Sequence, residues 1–207
     1  MRQVRVYVAD AGSTDGTVDA VLSFADRLNV AVIPGGLPSV GRNAGARAAA
    51  SEYVLFIDAD MELKDTTLIR RTLDLAQHRA LDCVTTNIWC SEGSVSDQLL
   101  YIGSNLAQYG SMLVKPFSTG MYMLFRREVF NRLGGFHEHA LYAEDYLLSK
   151  KVRRSRFGVV RGRIHTTNRR FRKMGHAKIV GLFLKTALHT FNDSYFLQDQ
   201  GYWHNHA

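Results

Sequence analysis

Three short clusters in this chain carry residue types able to do chemistry. Asp58-Ala59-Asp60 places two carboxylates two residues apart, directly after an apolar run. Such a pair can share a hard divalent cation and leave coordination sites for diphosphate oxygens. An EF-hand loop is excluded, because its sixth position would be Leu63, where the sharp turn wants glycine. Gly41-Arg42-Asn43 opens an alanine-rich stretch. At a helix start, backbone N–H groups and one guanidinium can hold a phosphate; a plain cap with a surface arginine is the other reading. Glu144-Asp145 offers a carboxylate that could act as a general base, its pKa tuned by the neighbouring acid and by burial. A solvated acidic pair at a helix start is again the alternative. Neither a G-x-G-x-x-G fingerprint nor a P-loop is present, so dinucleotide and Walker-type sites are not expected.

These clusters need elements to hold them. Val4, Val6 and Val8 alternate with polar or small residues and predict a strand, which runs into the turn-rich segment 9–16. Val18, Val21, Leu22, Ala25 and Leu28 then follow helical spacing, with Ser13 or Thr14 available as the cap. Further strands are expected at 30–33, 53–57, 83–89 and 120–125. The run 53–57 is apolar enough for burial on both faces. Helices are expected over 41–50, after Asp65, and over 127–133; Val95, Leu99, Ile102, Leu106 and Tyr109 also recur at helical spacing. Strands alternating with helices predict an α/β domain with a mostly parallel sheet. Segments 10–16, 41–43 and 58–60 all fall at strand ends, where open α/β sheets bind their ligands. The last third departs from this rhythm.

The 207 residues fit one ordinary domain, and a composition 46% hydrophobic and 22% charged supplies a real core. Disordered and low-complexity classes are excluded. No apolar run approaches the roughly 18–20 residues needed to cross a bilayer, and none of signal-peptide length follows the N-terminus. Cys83 and Cys90 give no disulfide framework; they read as buried thiols in a reducing, cytoplasmic setting. The net charge of +7 is uneven. Residues 150–178 hold 12 Lys or Arg and no acid, so all 19 Asp and Glu lie in the rest of the chain. Such a segment suits an anionic partner (phosphate, anionic lipid or nucleic acid), with a solvated basic face as the alternative.

Together and in order, these clusters resemble family 2 glycosyltransferases. Val8-Ala9-Asp10-Ala11-Gly12-Ser13-Thr14-Asp15-Gly16-Thr17 resembles the family's V-V-D-D/A-G-S-T-D-G-T segment. Gly41-Arg42-Asn43-Ala44-Gly45 with Ala48, Ala49 and Ala50 resembles its R-N-x-G-x-x-x-A stretch. Val54-Leu55-Phe56-Ile57-Asp58-Ala59-Asp60 resembles its strand and D-x-D. Gly120, Phe125-Arg126-Arg127-Glu128-Val129-Phe130, Gly134-Gly135-Phe136 and Glu144-Asp145 follow in the family's order, so the likeness runs from about Val4 to Val152.

The resemblance implies a GT-A (nucleotide-diphospho-sugar transferase) fold, an α/β domain whose mostly parallel sheet is flanked by helices. It implies inverting transfer of a sugar from a nucleotide-sugar donor to an acceptor hydroxyl, dependent on Mg2+ or Mn2+. By the same resemblance Asp10 lies near the nucleobase and Arg42 near the base or phosphates. Asp58 lies nearer the ribose, and Asp60 holds the ion that bridges the diphosphate. Asp145 deprotonates the acceptor, and Glu144 counts with the nucleotide-sugar-binding residues, where it also positions its neighbour. Met1 stands only a few residues before what resembles the family's second strand. An N-terminal truncation is therefore implied, without the first strand-helix unit and its P-x-x-N-E-like turn. A missing central strand exposes a sheet edge and part of the nucleotide pocket.

The expected division is a catalytic domain over 1–155, nucleotide-sugar half then acceptor half, and a basic extension over 156–207 with an amphipathic helix, in the same domain or appended. Ile164-His165-Thr166-Thr167-Asn168-Arg169-Arg170-Phe171 resembles a T-S-x-R-R-F/W stretch of some small family 2 enzymes. That implies Arg169 and Arg170 gripping the diphosphate as a lid, with His165 completing the metal shell or simply packing. His137, His139, His204 and His206 read as uncommitted. The helix over 178–190 is too short to span a membrane; it suits either an anionic membrane surface or packing on the domain. The expected setting is cell-envelope or polysaccharide synthesis, with a lipid-linked or polysaccharide acceptor and peripheral membrane contact. A non-catalytic nucleotide-sugar-binding remnant or fragment is the alternative. Nucleic acid ranks last, because Phe157 and Phe171 are too few for a stacking platform.

Overall fold

The computed structural model describes residues 4–190 and 192–198; His204 and His206 lie outside them. Strands β1 (Arg5–Asp10) and β2 (Asn29–Pro34) form a parallel two-stranded ribbon, connected by α1 (Thr17–Leu22). Strands β3 (Tyr53–Ile57), β4 (Cys83–Cys90), β5 (Tyr122–Arg126) and β6 (Phe157–Thr166) form a second sheet in the order β3-β5-β4-β6. Here β3, β4 and β6 run one way and β5 runs against them, so the sheet is mostly parallel in direction with one reversed strand. Helix α2 (Pro38–Ala48) joins the two sheets. One side leans on β1 and β2, and the other sends Ala46 into the core beside Phe56 of β3.

Because β5 is an inner strand, Tyr122, Met123, Leu124 and Phe125 are all buried. Phe56, Phe125, Phe130 and Phe136 pack with ring centroids 5.1 to 5.7 Å apart, mostly in the edge-to-face geometry aromatic rings favour. Strand β3 differs from its sequence pattern. It is an edge, with only Phe56 buried and Ile57 exposed, because no strand pairs with its outer side among the described residues. The β1-β2 ribbon is a separate sheet and does not pair with that edge. Helix α1 buries no residue and starts at Gly16 (φ 81°) without a Ser13 or Thr14 cap. Asp15 Oδ1 instead accepts the Thr17 N–H at 3.1 Å, a local turn that supplants the expected cap.

Helices α3 (Leu68–His78) and α4 (Val95–Ser111) pack on the second sheet. Strand β4 pairs with β5 only over Cys83, Val84 and Thr85, although it runs on to Cys90. The backbone freed there finds partners on α4. Asn105 Nδ2 donates to the Ile88 carbonyl and its Oδ1 accepts the Ile88 N–H, both at 2.9 Å; Gln108 Nε2 donates to the Thr86 carbonyl at 3.1 Å. An unpaired buried backbone group is costly, so the polar side of α4 turns inward. Asp97, Tyr101 and Gln108 are buried, while Val95, Leu99, Ile102 and Leu106 lie outward, between 41% and 73% exposed. This reverses the ordinary amphipathic arrangement, in which the apolar stripe faces the core.

Helices α5 (Arg127–Arg132) and α6 (Glu144–Ser149) follow β5. Strand β6 then pairs in parallel with β4 and buries Phe157, Val160 and Ile164. It starts only two residues into the 156–207 extension, so that segment contributes to the main sheet itself. Helix α7 (Arg169–Met174) sets Phe171 edge-to-face against Tyr101 with centroids 5.3 Å apart, and α8 (His176–Leu188) buries Ile179. Both cysteines are buried free thiols, as expected.

Candidate active site

Proline at the first turn fixes where α2 begins. Arg42 and Asn43 therefore sit a full turn inside the helix, and the Gly41 N–H already donates to the Leu37 carbonyl at 3.0 Å. The expected phosphate cradle of helix-start amides at 41–43 is not formed. What α2 offers is side chains. The Arg42 guanidinium, 13% exposed, donates from Nη2 to Asp58 Oδ1 at 2.6 Å and from Nη1 to Glu144 Oε1 at 2.7 Å. It lies over the Phe136 ring, 5.2 Å from the centroid. Burial opposes its charge, and the two carboxylates more than offset that, so it stays firmly protonated. A Cβ on Gly120 would come within 2.7 Å of Nη2, so only glycine leaves room for the bridge. Burial in turn pushes the Asp58 carboxyl up, against the pull of Arg42.

Beside this bridge, Asp145 is held by the backbone. Its Oδ2 accepts the Gly120 N–H at 2.5 Å and its Oδ1 accepts the Tyr146 N–H at 2.7 Å. Each carboxylate oxygen keeps a lone pair free for a further proton or hydrogen bond. Burial, then the neighbouring Glu144 charge, push Asp145 up to about 7, with Arg42 opposing. The preceding residue, Ala143, adopts the left-handed conformation (φ 55°). For a non-glycine residue this strain is on the order of 1–3 kcal/mol, and such strain gathers at functional sites. Arg42 thus ties the end of β3 to the first turn of α6, and Asp145 stands next to the knot.

Asp60 lies in a second, more open group. Its Oδ2 accepts from Arg169 Nη2 at 2.9 Å, and both side chains are exposed. An exposed pair of this kind contributes about 0–1 kcal/mol and yields easily to a stronger ligand. Glu62 and His165 exchange backbone hydrogen bonds (2.8 and 2.9 Å), which pins His165 two residues from Asp60 across an antiparallel bridge. His165 Nδ1 is within 2.7 Å of Ser91 Oγ; burial and the nearby Lys64 hold its pKa down, favouring the neutral ring a metal ligand needs. No group of three His, Cys, Asp or Glu able to hold a metal forms among the described residues. A hard divalent cation held here would take Asp60 as one protein ligand and draw most of its shell from substrate phosphates.

The remaining candidates are dispersed. Asp10 ends β1 and closes a turn, its Oδ2 accepting the Gly12 and Ser13 N–H groups at 2.9 Å each. The Ser13 hydroxyl and N–H hold its pKa low. Gly41 of α2 packs on Ala9, one residue before it: a Cβ there would lie 3.1 Å from Ala9 Cβ. Arg170 does not join Arg169 on Asp60; its charge acts on the Tyr101 and Tyr142 phenols. Sequence spacing assigns no role to Asn43, yet the structure does. Its Nδ2 donates to the Phe136 carbonyl at 2.8 Å and its Oδ1 accepts the Phe136 N–H at 3.0 Å. Gly135 (φ 68°) leaves space for that clamp, where a Cβ would meet Asn43 Oδ1 at 2.7 Å. The paired glycines before Phe136 were the available signal.

The model of the family described as Glycosyl transferase family 2 matches residues 1–134. No curated protein matches. Solved structures of similar fold include S. aureus TarS 1–349, which is 21% identical, with 79% of this chain and 51% of that chain covered and a TM-score of 0.60. The mannosyltransferase PcManGT from Pyrobaculum calidifontis, in complex with GDP-Man and Mn2+, is 19% identical over 90% of this chain and 55% of that one, with a TM-score of 0.63. Glucosyl-3-phosphoglycerate synthase from Mycobacterium tuberculosis, with Mn2+, uridine-diphosphate-glucose and phosphoglyceric acid, is 16% identical over 86% and 67%, at 0.56. The chain spans about half the length of the first two.

Proposed function

The chain belongs to glycosyl transferase family 2, and on that premise we propose that it moves a sugar from a nucleoside-diphosphate donor to an acceptor hydroxyl with inversion. The observation that carries the reading is Asp145, a carboxylate fixed by two backbone N–H groups and pushed up to about 7. A general base works best when its pKa lies near the operating pH. In the step itself the acceptor oxygen attacks the anomeric carbon, the bond from that carbon to the diphosphate oxygen breaks, and the acceptor proton passes to Asp145. A divalent ion bound with the donor would neutralise charge on the leaving diphosphate.

Asp60 would hold that ion, with His165 as a second ligand, and Arg169 would turn from Asp60 to the phosphates. The weakness of the exposed Asp60–Arg169 pair supports this assignment. So does the presence of Mn2+ with nucleotide sugars in two structures of similar fold. Asp10 and Asp58 would face the nucleoside, and Arg170 would border the cleft. A lipid-linked acceptor at a cell envelope would suit the outward apolar side of α4, and a polysaccharide acceptor would draw no support from it. Nucleoside diphosphate released from a panel of nucleotide sugars with Mn2+ or Mg2+ tests the proposal. Nucleotide binding with no sugar released would favour a binding-only protein.

Two expected outcomes follow from the geometry. Asp60→Ala should remove Mn2+-dependent nucleotide affinity without harming the fold, because the side chain is exposed. Calorimetry showing the same Mn2+-dependent affinity as the parent would take Asp60 out of the metal site. Glu144→Gln removes a charge that holds the Asp145 pKa up. The activity limb, which rises with pH as Asp145 loses its proton, should therefore move to lower pH. A limb that stays in place in the pH–rate profile would show that Glu144 does not tune the base.

A further inference from the structure

From the outward apolar side of α4 we infer a docking surface for an anionic lipid bilayer. At 100° per residue, Asp97, Tyr101, Asn105 and Gln108 point toward the sheet, and Val95, Leu99, Ile102 and Leu106 lie about 135° around the helix from them. The one charged residue of the helix is Asp97, which is buried, so the exposed side presents no charge at all. Leu113 and Val114 continue the stripe past the helix end, 77% and 73% exposed. They line one wall of an open surface groove of about 660 Å³, which Lys115, Arg153 and Arg154 also line. Arg154 Nη1 donates to the Leu113 carbonyl at 2.6 Å, which fixes a guanidinium beside the apolar tip. An apolar ridge ending in cations is the pattern that meets acyl chains and anionic headgroups together.

Helix α8 adds the same chemistry. It is tied to the first turn of α4 by a 2.6 Å contact between His176 Nε2 and Asp97 Oδ1. Phe183, Leu184 and Leu188 are exposed on it, as are Lys178 and Lys185. No described helix is long and apolar enough to cross a membrane, so the contact is one of surface seating. A second copy fits less well. A 17-residue helix is about 25 Å long and 10–12 Å wide, so the outer side of α4 without the residues beyond it offers roughly 250–300 Å². A stable dimer needs about 800 Å² per partner. The cations at the tip also favour an anionic surface over a copy of this positively charged chain.

Vesicle flotation tests the inference independently of sugar transfer. The protein should float with phosphatidylcholine–phosphatidylglycerol vesicles about tenfold more strongly than with pure phosphatidylcholine, the gain expected from one or two basic residues near the surface. Leu99→Glu with Leu106→Glu should abolish flotation, and Arg153→Glu should weaken the preference for the anionic lipid. Both leucines are exposed, and an unchanged melting curve would confirm that the double variant folds. Leu99→Ser with Leu106→Ser, a milder pair, should weaken flotation in step. Failure of the parent protein to float with anionic vesicles overturns the inference. So does light scattering that shows a dimer dissolved by the leucine variants while flotation is absent.

Discussion

Asp145→Asn should lower kcat by roughly 10²–10⁴-fold and leave donor and metal affinity nearly unchanged. A base acts on the acceptor proton in the transition state and adds little to holding the donor, and that fold-change is the usual scale for its loss. Asparagine keeps the size and can still accept one of the two backbone N–H groups, but it cannot take a proton. Stability supplies an independent readout. The folded pKa stands above the ordinary 3.8, so the folded state binds the proton more tightly than the unfolded chain does. The favourable contribution is complete below about pH 3.8 and is lost as pH rises through about 7. Above that range an ionised Asp145 burdens the fold. The asparagine variant should therefore melt no lower than the parent at pH 8, inactive yet intact. Weakened donor binding with normal turnover would instead make Asp145 a ligand.

Arg42→Ala should be the most destabilising single change at this site. Removing one partner from a buried ionic arrangement leaves the other charges uncompensated, at a cost of about 3–5 kcal/mol. Here two carboxylates, Asp58 and Glu144, are stranded at once. For a chain of this size that corresponds to a melting temperature lower by roughly 6–20 °C. Arg42→Lys should recover only part of the loss, because an ammonium cannot span both carboxylates with the fork of a guanidinium. Calorimetric melting of the three proteins gives the comparison. A loss under about 1 kcal/mol for the alanine variant would put the bridge in the class of solvated surface pairs.

Much of this arrangement was legible in the chain. The strand ends at Asp10 and Asp58, the helix containing Arg42 and the acidic pair at 144–145 all occur where pattern and family likeness put them. The misreadings have physical causes. The run 53–57 looks doubly buried by composition, but burial depends on having a strand on each side, which the residues themselves do not encode. Periodicity in α4 locates a helix and an apolar stripe; it does not say which side wins the core. That was decided by the backbone of β4 beyond Thr85, which needs Asn105 and Gln108. Arg42 was legible as a site residue, yet its two carboxylate partners lie 16 and 102 residues away and become visible only in three dimensions.

The separate ribbon of β1 and β2 has a thermodynamic consequence. A two-stranded sheet is marginal by itself, and α1 brings it no buried side chain. With α2 its one substantial support, its opening should cost less than that of the four-stranded sheet. Asp10 rides on the looser unit; Asp58, Arg42 and Asp145 belong to the tighter one. A nucleoside that touched both would spend part of its interaction on closing the looser unit. Its apparent affinity would then report how often the ribbon is already closed as much as how well the pocket fits.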